Sequence, residues 1–131
     1  MATTLAKVFG VVFVLVAVLG FVQSGPVLGV FETNFAHDLV HLVVGVILLA
    51  VSGSEGNARS GLKILGIIYI VLAALGFYVG SGSLLGFIEV NQADNWLHAV
   101  LGVLLVVASL GGGKVAAAAP SQPSAGGMGG M

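Results

Sequence analysis

The chain has no cysteine and very little charge: only 7% of its 131 residues are Asp, Glu, Lys or Arg. The first absence excludes disulfides, thiolate metal centres and cysteine nucleophiles. The second, with a formal net charge of −1, leaves no basic patch and argues against a nucleic-acid partner. What the chain does have is apolar bulk. Hydrophobic residues make up 58% of it, and the mean hydropathy of +1.16 belongs to membrane proteins rather than soluble domains. A lipid-spanning helix needs about 20 mostly apolar residues, with roughly 17 tolerated. Residues 5–22, 35–52, 62–79 and 95–110 each qualify. None shows the alternation of a transmembrane β-strand. The expected fold is all-α, an integral membrane four-helix bundle over residues 1–110. The remainder, 111–131, is low in complexity, carries nothing able to build a core and reads as a disordered tail.

The second half of the bundle repeats the first. Residues 8–52 align with 64–109 after one single-residue insertion, pairing Gly10 with Gly66, Ala17 with Ala73, Gly20 with Gly76, Gly29 with Gly86 and Gly45 with Gly102. Apolar matches are cheap in so hydrophobic a chain. The polar ones are not: Glu32/Glu89, Asn34/Asn91 and His41/His98 fall in one register twice. Each copy reads as a helical hairpin, helix, Gly/Ser-containing connection, helix. Two spans per copy keep both copies in the same orientation, related by a pseudo-two-fold axis along the membrane normal. The small residues of helices 1 and 3 are expected to let neighbouring backbones approach. Residues 53–61, polar and glycine-rich, are expected to connect the copies.

Orientation follows from the basic residues. Lys7, Arg59, Lys63 and Lys114 all fall on one side of this topology, whereas Glu32, Asp38, Glu89 and Asp94 fall on the other. The positive-inside rule makes the basic side cytoplasmic, with both termini inside. Lys7 and the apolar run before Val22-Gln23-Ser24 also resemble a signal peptide. The internal copy of the same segment argues that helix 1 is retained.

Chemistry, if there is any, sits at the outer ends of helices 2 and 4. Asn34 and Asn91 are positioned to cap those helices, and Asp94 suits the positive end of helix 4. His41 and His98 then lie seven residues in, roughly 10 Å deep, where an ionisable residue faces the bundle interior and has a partner. His37 and Asp94 stand one turn earlier on the same faces. If helices 2 and 4 meet, His37, His41, Asp94 and His98 converge as ligands for a transition metal such as zinc, iron, manganese or copper. Glu32 and Glu89 would form the surrounding shell. A tetrapyrrole is the other cofactor reading, with His41 and His98 as axial ligands beside Gly45 and Gly102. The plainest reading is an interhelical hydrogen-bond network in which the two histidines bond to each other, to Asn95 or to backbone. Trp96, Tyr69 and Tyr78 read as interfacial or packing aromatics. No nucleophile–base arrangement or phosphate loop is visible, so no enzyme is expected. A channel would require titratable groups through the inner halves of the helices, and these supply none.

At these motifs the chain resembles a bacterial family of small four-helix membrane proteins, the domain of unknown function 4383 family. Residues 34–41 (NFAHDLVH) match an N-x-x-H-[ND]-x-V-H type element, and residues 93–98 (ADNWLH) match the element of the second half intact. The resemblance covers roughly residues 6–110. It implies the four-helix fold and a bacterial inner-membrane setting, and supplies no activity. Together these readings describe a multi-pass membrane protein with a structural or accessory role, its partners the lipid bilayer and another membrane protein docked on its helix faces. The alternative is a metal- or tetrapyrrole-binding protein.

Overall fold

In the computed structural model the backbone of residues 1–117 is described, with side chains through residue 111. The elements are α1 (Ala2–Val22), α2 (Phe35–Val51), α3 (Glu55–Val79), β1 (Gly82–Leu84), β2 (Ile88–Val90) and α4 (Gln92–Ala117). Three helices, Ala2–Val22, Glu55–Val79 and Gln92–Gly111 of α4, are long and apolar enough to cross a membrane. The fourth, α2, is equally apolar but has only 17 residues. Burial runs opposite to that of a soluble protein. Leu15, Ile64, Val103 and Val107 are exposed, whereas His37, Asp38, His41, Asp94, Asn95 and His98 are buried. Large apolar side chains facing outward all round the bundle, with ionisable groups held inside it beside an apolar core, are stable in lipid. The chain is a membrane protein.

Each hairpin is closed by glycine. A Cβ built on Gly10 would lie 3.0 Å from the Gly45 carbonyl oxygen, and one built on Gly45 would lie 2.8 Å from that of Gly10. Gly66 and Gly102 repeat this between α3 and α4, at 2.8 and 2.9 Å. Lipid provides no hydrophobic drive for association, so backbones must touch closely enough for dispersion to hold them, and only glycine allows it here. Ala17 and Ala73 are fully packed on the same faces. Nearer the loops, Gly20 lies against the Asp38 carboxylate and Gly76 against the Asn95 amide.

Several boundaries differ from those expected. The connection expected over residues 53–61 is instead Ser52, Gly53 and Ser54, because α2 ends at Val51 and Ser54 accepts from the Asn57 N–H and starts α3 at Glu55. A capping serine followed by glutamate begins a helix even where the residues are polar; hydropathy registers only the part in lipid. There the start of α1 is tied to the start of α3, the Glu55 carboxylate accepting from the Ala2 N–H at 2.9 Å and from the terminal amino group. Helix α4 continues past residue 110 to Ala117. From residue 118 the expected disordered tail lies outside the described residues.

The two interhelix loops meet at the opposite end of the bundle. Val27 pairs with Phe31 as an isolated antiparallel bridge, and Leu84 pairs with Ile88 in the β1–β2 hairpin. Both turns carry a leucine and a glycine at positive φ, Leu28 (55°) with Gly29 (72°) and Leu85 (55°) with Gly86 (84°). Two consecutive positive φ values define a type I′ turn, which suits the twist of a hairpin. Glycine adopts this without strain, whereas leucine does so at a cost of order 1 kcal/mol or more.

Candidate functional site

The site lies beneath those loops, between the first two turns of α2 and α4. Asn34 caps α2 by accepting from the His37 N–H at 2.9 Å, and Asn91 accepts from the Asp94 N–H at 3.0 Å. With the caps fixed, helical periodicity turns His37, His41 and His98 inward, at 2%, 8% and 5% exposure. The ring centroids of His37 and His41 are 4.6 Å apart, and that of His98 lies 5.8 Å from His37 and 6.3 Å from His41. Among the described residues these three form a group whose metal-ligating atoms all lie within 4.8 Å of one another. Phe13 stacks obliquely on His41, and Tyr69 meets His98 edge-on at 5.1 Å.

Hydrogen bonding distinguishes the three rings. His37 Nδ1 lies 2.7 Å from the Glu89 carbonyl oxygen, to which it donates. That bond fixes the tautomer and leaves Nε2 with its lone pair free. His41 Nδ1 and His98 Nδ1 are buried with no partner. A buried polar atom left unpaired costs roughly 1–3 kcal/mol. Asp38 Oδ1, Arg59 Nε and Asn95 Oδ1 are likewise buried without a partner, but only the two histidine nitrogens belong to the cluster.

Asp94 belongs to the neighbourhood but not to that group. Its Oδ2 accepts from the Glu32 N–H at 3.0 Å and from the Asn91 N–H at 2.8 Å, which commits it to holding the loop and the α4 cap. Glu32 and Glu89 accordingly act through backbone, one N–H and one carbonyl, and not through the carboxylates the sequence suggested. The simple network also takes another route: Asn95 donates to the Gly80 carbonyl at 2.9 Å and bonds to neither histidine. Between the loops, Asn34 donates to the Phe87 carbonyl at 2.8 Å and Asn91 to the Val30 carbonyl at 2.7 Å. The spaces beside Gly45 and Gly102 are filled by the backbones of α1 and α3, with Val14 N and Ile70 N only 2.9 and 2.8 Å from the built Cβ positions. A tetrapyrrole lying beside those glycines has no room there.

Two cavities flank the histidines. One, of about 310 Å³, lies between α1 and α4 under the first loop, with His41, Asp94 and His98 in its wall. The other, of about 20 Å³, lies on the α2/α3 side and shares His41 and His98 with the first. Sequence reasoning found the histidines but neither the cavities nor the β-hairpin. A Leu-Gly pair is a weak turn signal, and a cavity has no sequence signature.

The chain belongs to the family defined by a domain of unknown function (DUF4383), whose match covers residues 3–111. No curated protein and no solved structure matches it.

Proposed function

We propose that this membrane protein holds one transition metal ion, zinc or copper, on His37, His41 and His98, and serves as an accessory component rather than an enzyme. The observation that carries the reading is the buried trio itself, with one ring anchored through a backbone carbonyl and two rings lacking partners. Three imidazoles, one oriented by a carbonyl on its far nitrogen, are a donor set suited to these metals. Tetrahedral zinc with bonds of about 2.0–2.1 Å sets its ligand atoms roughly 3.4 Å apart. The donor atoms lie within 4.8 Å of one another, so metal binding requires the rings of His41 and His98 to turn toward His37. The topology that accompanies this reading is two duplicated hairpins around a pseudo-two-fold axis in a bacterial inner membrane. All four helices span, the termini are cytoplasmic and the histidines lie near the outer face, as the distribution of Lys7, Arg59, Lys63 and Lys114 supports.

A second reading is favoured by the crossed Asn34–Phe87 and Asn91–Val30 hydrogen bonds. In it the outer end is a purely structural clasp, and the histidines only fill it. Elemental analysis of protein purified from cells supplied with zinc and copper separates the two. The metal reading expects about one ion per chain, lost in His41→Ala and in His98→Ala while both variants stay folded. Metal-free wild type, or an ion retained by both variants, leaves the clasp as the better account. Labelling of a cysteine introduced at position 57 from the cell exterior would reverse the orientation.

A further inference from the structure

The two cavities occupy equivalent places in the two halves, and they differ in volume by more than tenfold. Phe13, Val16 and Asp94 line the large one, where Tyr69, Leu72 and His37 line the small one. Each of these three exchanges puts the bulkier group on the closed side. Phe31 and Leu97 run the other way against Ile88 and Val40, so bulk beside the histidines, not total bulk, follows the difference. One side of the cluster is plugged by its own side chains and the other is left open.

We propose that the open cleft binds a lipid-soluble quinone, its ring at His41 and His98 and its tail along α1. The shape fits a tailed molecule. The wall contributed by α1 runs from Val8 to Leu19, about 16 Å at 1.5 Å per residue. The volume lies at the lower end of small-molecule sites, which range from about 300 to 1,000 Å³. The polar groups of the wall, Thr33, His41, Asp94 and His98, are few and gathered toward the loop end. The rings of His41 and His98 line this end, and their unpartnered Nδ1 atoms, buried behind the wall, would gain a hydrogen-bonding oxygen if the rings turned toward the cleft. Val27, Leu28 and Phe31 of the first loop also line this cavity. A phosphate-bearing head would therefore have to shed its water beneath an apolar loop, which is costly. A fatty-acid carboxylate would lie near Asp94 with no Lys or Arg in the wall to offset the charge. A compact uncharged ring with carbonyl oxygens meets neither penalty, and Phe9, Phe13 and Phe31 offer it aromatic faces.

The inference rests on the histidine cluster being the chemical end of the protein, as in the reading above, and extends that reading to the molecule the cluster serves. Its test uses the full chain in lipid nanodiscs with decyl-substituted benzoquinone as the probe, binding being measured above that of protein-free discs. Wild type should bind about one probe per chain, saturably. Val16→Trp, which fills the cleft from α1, should weaken binding at least about tenfold. Val18→Trp, on the exposed face of the same helix, should leave it unchanged. His98→Phe should weaken it by a similar factor with the tail cleft intact. Thermal melts confirm that each variant is folded. No saturable binding by wild type, or equal binding by wild type and Val16→Trp, overturns the proposal, and undiminished binding by His98→Phe overturns the assignment of the ring to the histidines. Metal content measured on the same samples keeps the two ideas apart. One ion per chain without probe binding removes the quinone alone, and probe binding by metal-free protein removes the metal alone.

Discussion

The two hairpins use the same scaffold and opposite polarity. In the first, the residue three past the capping asparagine is His37, which donates across to the Glu89 carbonyl. In the second it is Asp94, which accepts from the Glu32 N–H. Each residue thus reaches the partner loop at the equivalent glutamate, one taking the carbonyl and the other the N–H. One position on, Asp38 faces Gly20 and Asn95 faces Gly76, each with an unpartnered Oδ1, and Asn95 adds a bond from its amide nitrogen to the Gly80 carbonyl. Closed glycine contacts and crossed asparagine bonds are kept on both sides, while the groups around the histidines differ. The difference teaches where the molecule is constrained by assembly and where it is free to specialise. Backbone contact and capping must be met twice, whereas the third histidine and the open cleft need exist only once.

The largest effect of any single substitution should come from breaking the scaffold on one side. The Cβ of Gly66→Ala would meet the Gly102 carbonyl and Val106 N, both at 2.8 Å, so helix backbones must separate. The Cβ of Gly10→Ala meets the Leu49 Cγ at 2.8 Å and the Gly45 carbonyl at 3.0 Å, so a side chain and a looser backbone contact have to give instead of two backbone atoms at 2.8 Å. Overpacking of this kind typically costs 1–3 kcal/mol. Gly66→Ala should fall near about 3 kcal/mol and Gly10→Ala near about 1 kcal/mol, read as the difference in unfolding free energy in detergent. Equal costs would mean that both hairpins tolerate the same separation.

Much of this scaffold is legible in the sequence, because glycines at helical spacing inside apolar runs have few other uses. Asn34 and Asn91 were legible as caps for a similar reason: an amide just before an apolar run accepts from a free N–H. The same logic brought His37, His41 and His98 together. Asp94 was grouped with them because carboxylates are good ligands, but its first call is on the Glu32 and Asn91 N–H groups. Partners of that kind come from the other hairpin, 62 residues away in the case of Glu32, and no local pattern names them. The start of α3 at Glu55 was hidden by hydropathy, and the type I′ turns by leucine standing where asparagine usually does.

The next effect tests the exchange of polarity. His37→Asp would set an acceptor against the Glu89 carbonyl, and Asp94→His would strip the Glu32 and Asn91 N–H groups of their acceptor. Each should cost about 2 kcal/mol, the usual penalty for a buried group left unpaired. The double variant swaps the side chains but not the backbone groups they serve. Its cost should therefore approach the sum, about 4 kcal/mol, with little coupling. A double variant as stable as wild type would show that the two positions interact directly, and the crossed pairing with the loops would have to be abandoned.

The smallest effect concerns what the halves share. Asn34 caps α2 and donates to the Phe87 carbonyl, and Asn91 caps α4 and donates to the Val30 carbonyl. Replacing either with alanine removes a cap worth about 1 kcal/mol and one net hydrogen bond worth about 0.5–1.5 kcal/mol. The carbonyl left behind is at the loop end, where water can reach it, so no larger penalty should follow. Asn34→Ala and Asn91→Ala should each cost about 1.5–2 kcal/mol and agree within about 0.5 kcal/mol. A small offset is expected in one direction only. Asp94 also accepts from the Asn91 N–H, a bond through the backbone that survives Asn91→Ala and keeps part of the α4 cap in place. The first hairpin has His37 at that position, where a ring already donating to Glu89 offers no such return bond. Asn34→Ala should therefore be the more damaging of the two, and thermal unfolding of both variants in one detergent decides the order.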